Sequence, residues 1–104
     1  INKKFISPFT PDKYLSSWAQ YSILIPKDYK KDEIMKKLSE KEIPTMVYYK
    51  IPVHLQKGYL EYGYKRGDFP VSEKSSEKIL SIPMYPYISK ENQDVIINTL
   101  NSIV

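Results

Sequence analysis

Trp18-Ala19-Gln20-Tyr21-Ser22-Ile23-Leu24-Ile25 is the stretch on which the fold turns. It concentrates aromatic and β-branched residues and is stopped by Pro26 and Asp28, the signature of a strand. Being apolar on both faces toward its end, it belongs inside a sheet rather than at its edge. Downstream, Asp28 offers a helix N-cap, and residues 30–42 form an amphipathic helix with Ile34, Met35 and Leu38 as its apolar stripe. Ile43 and Pro44 end that helix, and Thr45 to Lys50 predicts a second strand. Pro52 disfavours continuing the ladder. A short helix around Lys57 to Tyr62 follows, closed by Gly63. Residues 65–70 read as a loop, and Ser72 as the cap of another short helix running through Ile79. Leu80 to Tyr85 reads as a third strand interrupted by Pro83. Ser89 caps a last helix whose buried face is Val95, Ile96, Leu100, Ile103 and Val104. Upstream of the first strand, Pro8, Pro11 and the lack of any period make residues 1–16 a linker or extended lead-in. The pattern predicts an α+β fold: one domain over residues 1–104, with a small, mainly antiparallel sheet of about three strands and helices packed on it.

Length and composition narrow the chemistry. A chain of 104 residues, 41% hydrophobic and 27% charged, has the makeup of one globular domain. With no cysteine and one histidine, disulfide frameworks, thiolate metal sites, cysteine nucleophiles and multi-histidine metal centres are excluded. Three glycines, at 58, 63 and 67, provide no phosphate-cradling loop. The net charge of +4 invites a nucleic-acid reading, but 15 of the 16 basic residues are lysine and Arg66 alone has the planar fork that reads bases and phosphates. No apolar run reaches the roughly 20 residues of a membrane helix, and no hydrophobic leader follows Lys3 and Lys4. The expectation is a cytoplasmic protein that binds neither nucleic acid nor membrane. Since residue 1 is isoleucine, a processed chain, an excised domain or part of a longer chain is expected.

The most chemically varied segment is Tyr48-Tyr49-Lys50-Ile51-Pro52-Val53-His54-Leu55-Gln56, which sets aromatic, cationic and imidazole groups around a proline-stiffened loop. Taken alone, it is satisfied by two tyrosines alternating across a strand and a histidine making one structural hydrogen bond. A binding role requires a polar ligand that these groups face together.

Four stretches resemble the C-terminal region of the DegT/DnrJ/EryC1/StrS family of pyridoxal-phosphate-dependent sugar aminotransferases. They are Ser17-Trp18-Ala19-Gln20-Tyr21-Ser22-Ile23, Tyr49-Lys50-Ile51-Pro52-Val53-His54-Leu55-Gln56, Gly67-Asp68-Phe69-Pro70-Val71-Ser72-Glu73 and Ile79-Leu80-Ser81-Ile82-Pro83-Met84-Tyr85-Pro86, in that order over residues 17–100. The resemblance implies the C-terminal small domain of a fold-type-I enzyme. An upstream large domain would hold pyridoxal phosphate on a Schiff-base lysine, a homodimer would form the active site, and an amino group, usually from glutamate, would pass to a nucleotide-linked keto-sugar. None of the lysines here stands in the context of that Schiff-base lysine, so the 104 residues are expected to bind no cofactor and to be inactive alone. The resemblance makes His54, with Gln56 beside it, the principal substrate contact, and Tyr49 and Arg66 further substrate-binding candidates; Trp18, Tyr21, Leu80 and Ile82 are assigned to packing. The alternative is a free-standing, non-catalytic sugar-nucleotide-binding module derived from the same fold.

Overall fold

The central strand forms over Tyr21–Leu24 (β1) and pairs antiparallel with Ile79–Ile82 (β2). Tyr21 lies opposite Ile82, Ser22 opposite Ser81, Ile23 opposite Leu80 and Leu24 opposite Ile79. Because side chains alternate along a strand, this register puts the fully buried Ile23 and Leu80 on one face. On the other face the hydroxyls of Ser22 and Ser81 meet at 2.7 Å. The computed structural model describes residue 1 and residues 3–104. Among these residues each strand gains one antiparallel bridge on its outer side, Ile6 with Leu24 and Met46 with Ser81.

The sheet therefore has two strands where about three were expected, the strand over Thr45 to Lys50 contracting to the Met46 bridge. Met46 exchanges both backbone bonds with Ser81, at 3.0 and 2.8 Å, and the chain then turns away at Tyr48 and Tyr49. These two tyrosines do not alternate across a strand; both are exposed. β1 begins later than the sequence implies because Trp18 has φ of 48°, in the left-handed region rather than the extended one. β2 stops where Pro83 removes a backbone donor.

Three helices surround this pair: Lys31–Ser39 (α1), Pro70–Lys78 (α2) and Lys90–Ile103 (α3). Two 3-10 turns, Val53–Leu55 and Lys57–Tyr62, lie between α1 and α2. Lys30, not Asp28, takes the N-cap position of α1, and stability there comes from Asp32 and Glu33 in the first turn and Lys36 and Lys37 in the last. The end of α1 is closed by Glu42 N–H donating to Ser39 O at 2.9 Å and Ile43 N–H to Leu38 O at 3.0 Å, with Glu42 at φ 57°. That pairing satisfies carbonyls the helix would leave bare and folds Ile43 back over Leu38. α2 starts at Pro70 rather than at Ser72, because proline's fixed φ suits the first helical position. It runs into β2 with no residue between Lys78 and Ile79. Ser89 caps α3 as expected, its Oγ accepting from Asn92 N–H at 3.2 Å.

The core consists of Phe5, Ile23, Ile25, Ile34, Leu38, Ile43, Leu80, Ile96 and Leu100. α1 and α3 supply Ile34, Leu38, Ile96 and Leu100 from stripes at helical spacing. Val95, expected in the buried face, is exposed, whereas Ile103 and Val104 pack partly against the core. Phe5 reaches the core from the lead-in. Among the described residues no helix is long and apolar enough to cross a membrane.

Candidate functional site

Pro52 sets the geometry of the site. It is buried, and as the residue before the Val53–Leu55 turn it accepts Leu55 N–H at 2.9 Å. The tight turn sends Val53 outward and His54 inward, the latter 8% exposed. Gln56 closes the loop, its Nε2 donating to Ile51 O at 3.0 Å. Opposite stands the first turn of α2, where Pro70 starts the helix and so places Glu73 facing back over the loop at residues 65–69.

Glu73 is 7% exposed, and its carboxylate gathers donors. His54 Nε2 lies 3.0 Å from Oε1. Gly67 N–H donates to both oxygens, at 2.8 and 3.0 Å, and Phe69 N–H reaches Oε1 at 3.3 Å. Gly67 has φ of 99°, a left-handed conformation that glycine adopts without strain and that aims its N–H at the carboxylate. Burial by itself pushes the Glu73 carboxyl up. The hydrogen bonds from Gly67, His54 and Phe69 outweigh it and hold the group below its ordinary 4.5. Glu73 is therefore an ionised acceptor at neutral pH.

The two 3-10 turns and the start of α2 enclose an open cleft of about 450 Å³ lined by Val53, His54, Tyr59, Tyr62, Tyr64, Phe69 and Ser72. Its wall is aromatic. The Phe69 ring lies 4.8 Å from the His54 ring and 5.1 Å from Tyr64, and Tyr59 stacks with Tyr62 at 6.2 Å. Of the four residues singled out from the sequence, His54 alone lines this cleft. Tyr49 is 71% exposed in the turn before Pro52. The Arg66 guanidinium pairs with Glu77 across 3.3 Å on the solvent side of α2. Trp18 rests on Tyr21 at 5.3 Å, and Leu80 is fully buried, as packing residues should be.

The cleft offers an imidazole, aromatic faces and a hydroxyl, and no lysine lines it. Two lysines elsewhere donate to backbone carbonyls. Lys31 Nζ donates to Ser76 O at 2.7 Å, and Lys78 Nζ to Lys27 O and Tyr29 O. Burial lowers the Lys31 ammonium below its usual 10.5, with Asp32 opposing. No residue lining this cleft has the amine that a Schiff-base cofactor needs. Among the described residues no group of three or more acidic, histidine or cysteine side chains is placed to hold a metal.

Glu73 and Phe69, like the cleft residues Val53, Tyr59, Tyr62, Tyr64 and Ser72, are not among the candidates the sequence singles out. The signal for Glu73 and Phe69 was present in Gly67-Asp68-Phe69-Pro70, a tight loop running into a proline-started helix with an acid in its first turn. A sole histidine in need of a buried partner was the other half of it.

A two-stranded antiparallel sheet flanked by three helices, with a histidine–glutamate pair under an aromatic cleft, defines a small α+β domain. The chain belongs to the DegT/DnrJ/EryC1/StrS aminotransferase family, whose sequence profile matches residues 1–101. It is 37% identical over 95 residues to a pleiotropic regulatory protein of Geobacillus stearothermophilus, covering 91% of this chain and 25% of that protein. It is 34% identical over 64 residues to a dTDP-3-amino-3,6-dideoxy-alpha-D-galactopyranose transaminase of Aneurinibacillus thermoaerophilus, covering 62% and 17%. The crystal structure of a family aminotransferase from Brucella abortus superposes with a TM-score of 0.85 at 38% identity, over 96% of this chain and 26% of the other. The chain thus spans no more than about a quarter of the length of these relatives.

Proposed function

We propose that these residues are the C-terminal small domain of a longer pyridoxal-phosphate-dependent transaminase that moves an amino group, with glutamate as donor, onto a nucleotide-linked keto-sugar. The observation that carries the reading is the family match across 1–101 together with coverage of a quarter or less of its relatives, a transaminase among them. The domain contributes substrate contacts and part of a homodimer surface, and the cofactor is held by an upstream large domain. Bound there, pyridoxal phosphate would act as the electron sink for the amino transfer. On this chain His54 meets polar groups of the sugar nucleotide at the cleft. Gln56, whose amide nitrogen is taken by Ile51, offers its carbonyl oxygen, and Tyr49 and Arg66 reach the substrate from the exposed turns on either side.

The reading is tested by His54→Ala in the complete enzyme. The Michaelis constant for the sugar nucleotide rises while the cofactor absorbance keeps its wild-type spectrum. An unchanged Michaelis constant removes His54 from the site.

A further inference from the structure

We infer that Glu73 is a positioning residue: it holds the neutral form of His54 with its proton on Nε2, so that in this form Nδ1 turns a lone pair to the cleft and accepts from a hydroxyl or amide N–H of the substrate. The inference rests on the reading of the cleft as a sugar-nucleotide site, and it selects which part of that ligand the histidine recognises.

The carboxylate of Glu73 already accepts three backbone N–H contacts from Gly67 and Phe69. An ionised carboxylate has nothing to donate, so in the 3.0 Å contact with His54 the hydrogen belongs to Nε2. Turning the ring over would put a C–H against Glu73 in place of the N–H, and the Phe69 ring at 4.8 Å packs the imidazole where it stands. In the neutral ring the other nitrogen, Nδ1, is then an acceptor. It has no partner among the described residues. No fully buried side-chain nitrogen or oxygen among them lacks one, so Nδ1 is not sealed in, and the surface His54 shares is that of the cleft. Phosphate oxygens are acceptors and find no hydrogen on Nδ1 of the neutral ring. Sugar hydroxyls and amide N–H groups carry the hydrogen that Nδ1 accepts, and the faces of Tyr59, Tyr62, Tyr64 and Phe69 suit the C–H side of a sugar ring.

Because His54 is the sole histidine, its tautomer can be read without ambiguity. Nitrogen-15 correlation spectra of the histidine-labelled 104-residue chain, recorded where the ring is neutral, show a protonated Nε2 and a bare Nδ1. A proton on Nδ1, or an even mixture of tautomers, overturns the proposal, and this measurement needs no variant.

The complete enzyme supplies a second arm. His54→Gln keeps an amide N–H toward Glu73 and deletes Nδ1. It raises the Michaelis constant for the sugar nucleotide roughly 3- to 10-fold, the worth of one neutral hydrogen bond. Glu73→Gln raises it similarly with little change in kcat, and the double variant is no worse than either single one. Additive losses, or a fall in kcat alone after Glu73→Gln, overturn the positioning role. If His54→Ala leaves the Michaelis constant unchanged, the substrate reading fails while the tautomer measurement still tests which nitrogen meets Glu73 with a proton.

Discussion

Glu73 ties a buried imidazole, a glycine loop and a helix start to one carboxylate, and that makes it the residue whose titration the fold should register. Its carboxyl is held below the ordinary 4.5, so its contribution is fully present above that value and is lost as pH falls through the lower, folded one. Urea titrations at a series of pH values should show stability dropping in the acid range below about 4.5. Glu73→Gln, which has no carboxyl to titrate, should be less stable at neutral pH and should show a shallower acid loss; parallel curves for the two proteins would contradict the assignment. The site was partly legible in advance. A lone histidine in a proline-stiffened turn drew attention to His54, but its partner lies 19 residues away in sequence, and no spacing rule joins a 3-10 turn to the first turn of a separate helix. Arg66 shows the converse difficulty. Its charge was visible in the sequence, whereas its pairing with Glu77 follows only from the path of the loop into α2.

The helices illustrate how termini are fixed. Ser89 is a working cap, and Ser89→Ala should cost about 1 kcal/mol in chemical denaturation. Glu42 sits at φ 57° in the turn that closes α1, where a side chain is disfavoured by roughly 1–2 kcal/mol relative to glycine. Glu42→Gly should therefore stabilise the chain by about 1 kcal/mol despite its greater freedom when unfolded, and a loss of stability would show that the Glu42 side chain is needed there. Leu38→Ala removes a fully buried side chain from the face of α1 that meets the sheet and α3, and should cost about 2–5 kcal/mol. Helix existence was readable from the apolar periodicity of Ile34/Leu38 and Ile96/Leu100. Strand extent was not. Whether Thr45 to Lys50 pairs along its length or only at Met46 depends on where the turn at Tyr48 and Tyr49 departs, a tertiary outcome that β-propensity does not encode.

Taken whole, the chain is more drawn out than its length requires. Its radius of gyration is 15.6 Å, with extents of 48 × 36 × 23 Å, whereas a compact domain of this size measures about 13 Å. The lead-in accounts for part of this. Phe5 is anchored in the core and Ile6 on β1, but Phe9 and Leu15 stand 83% and 98% exposed. Leu15→Ser should shift the stability of the 104-residue chain by no more than about 0.5 kcal/mol, since the side chain touches almost nothing; a larger loss by thermal melting would mean the lead-in folds back on the domain in solution. The uninterrupted passage from α2 into β2 has a consequence of another kind. With no slack at Lys78–Ile79, the amides of Leu80 and Ser81 are mechanically in series with the carboxylate at the other end of the helix. Ligand pressure on the cleft would then be felt as altered deuterium uptake in the middle of the sheet, well away from any surface the ligand touches.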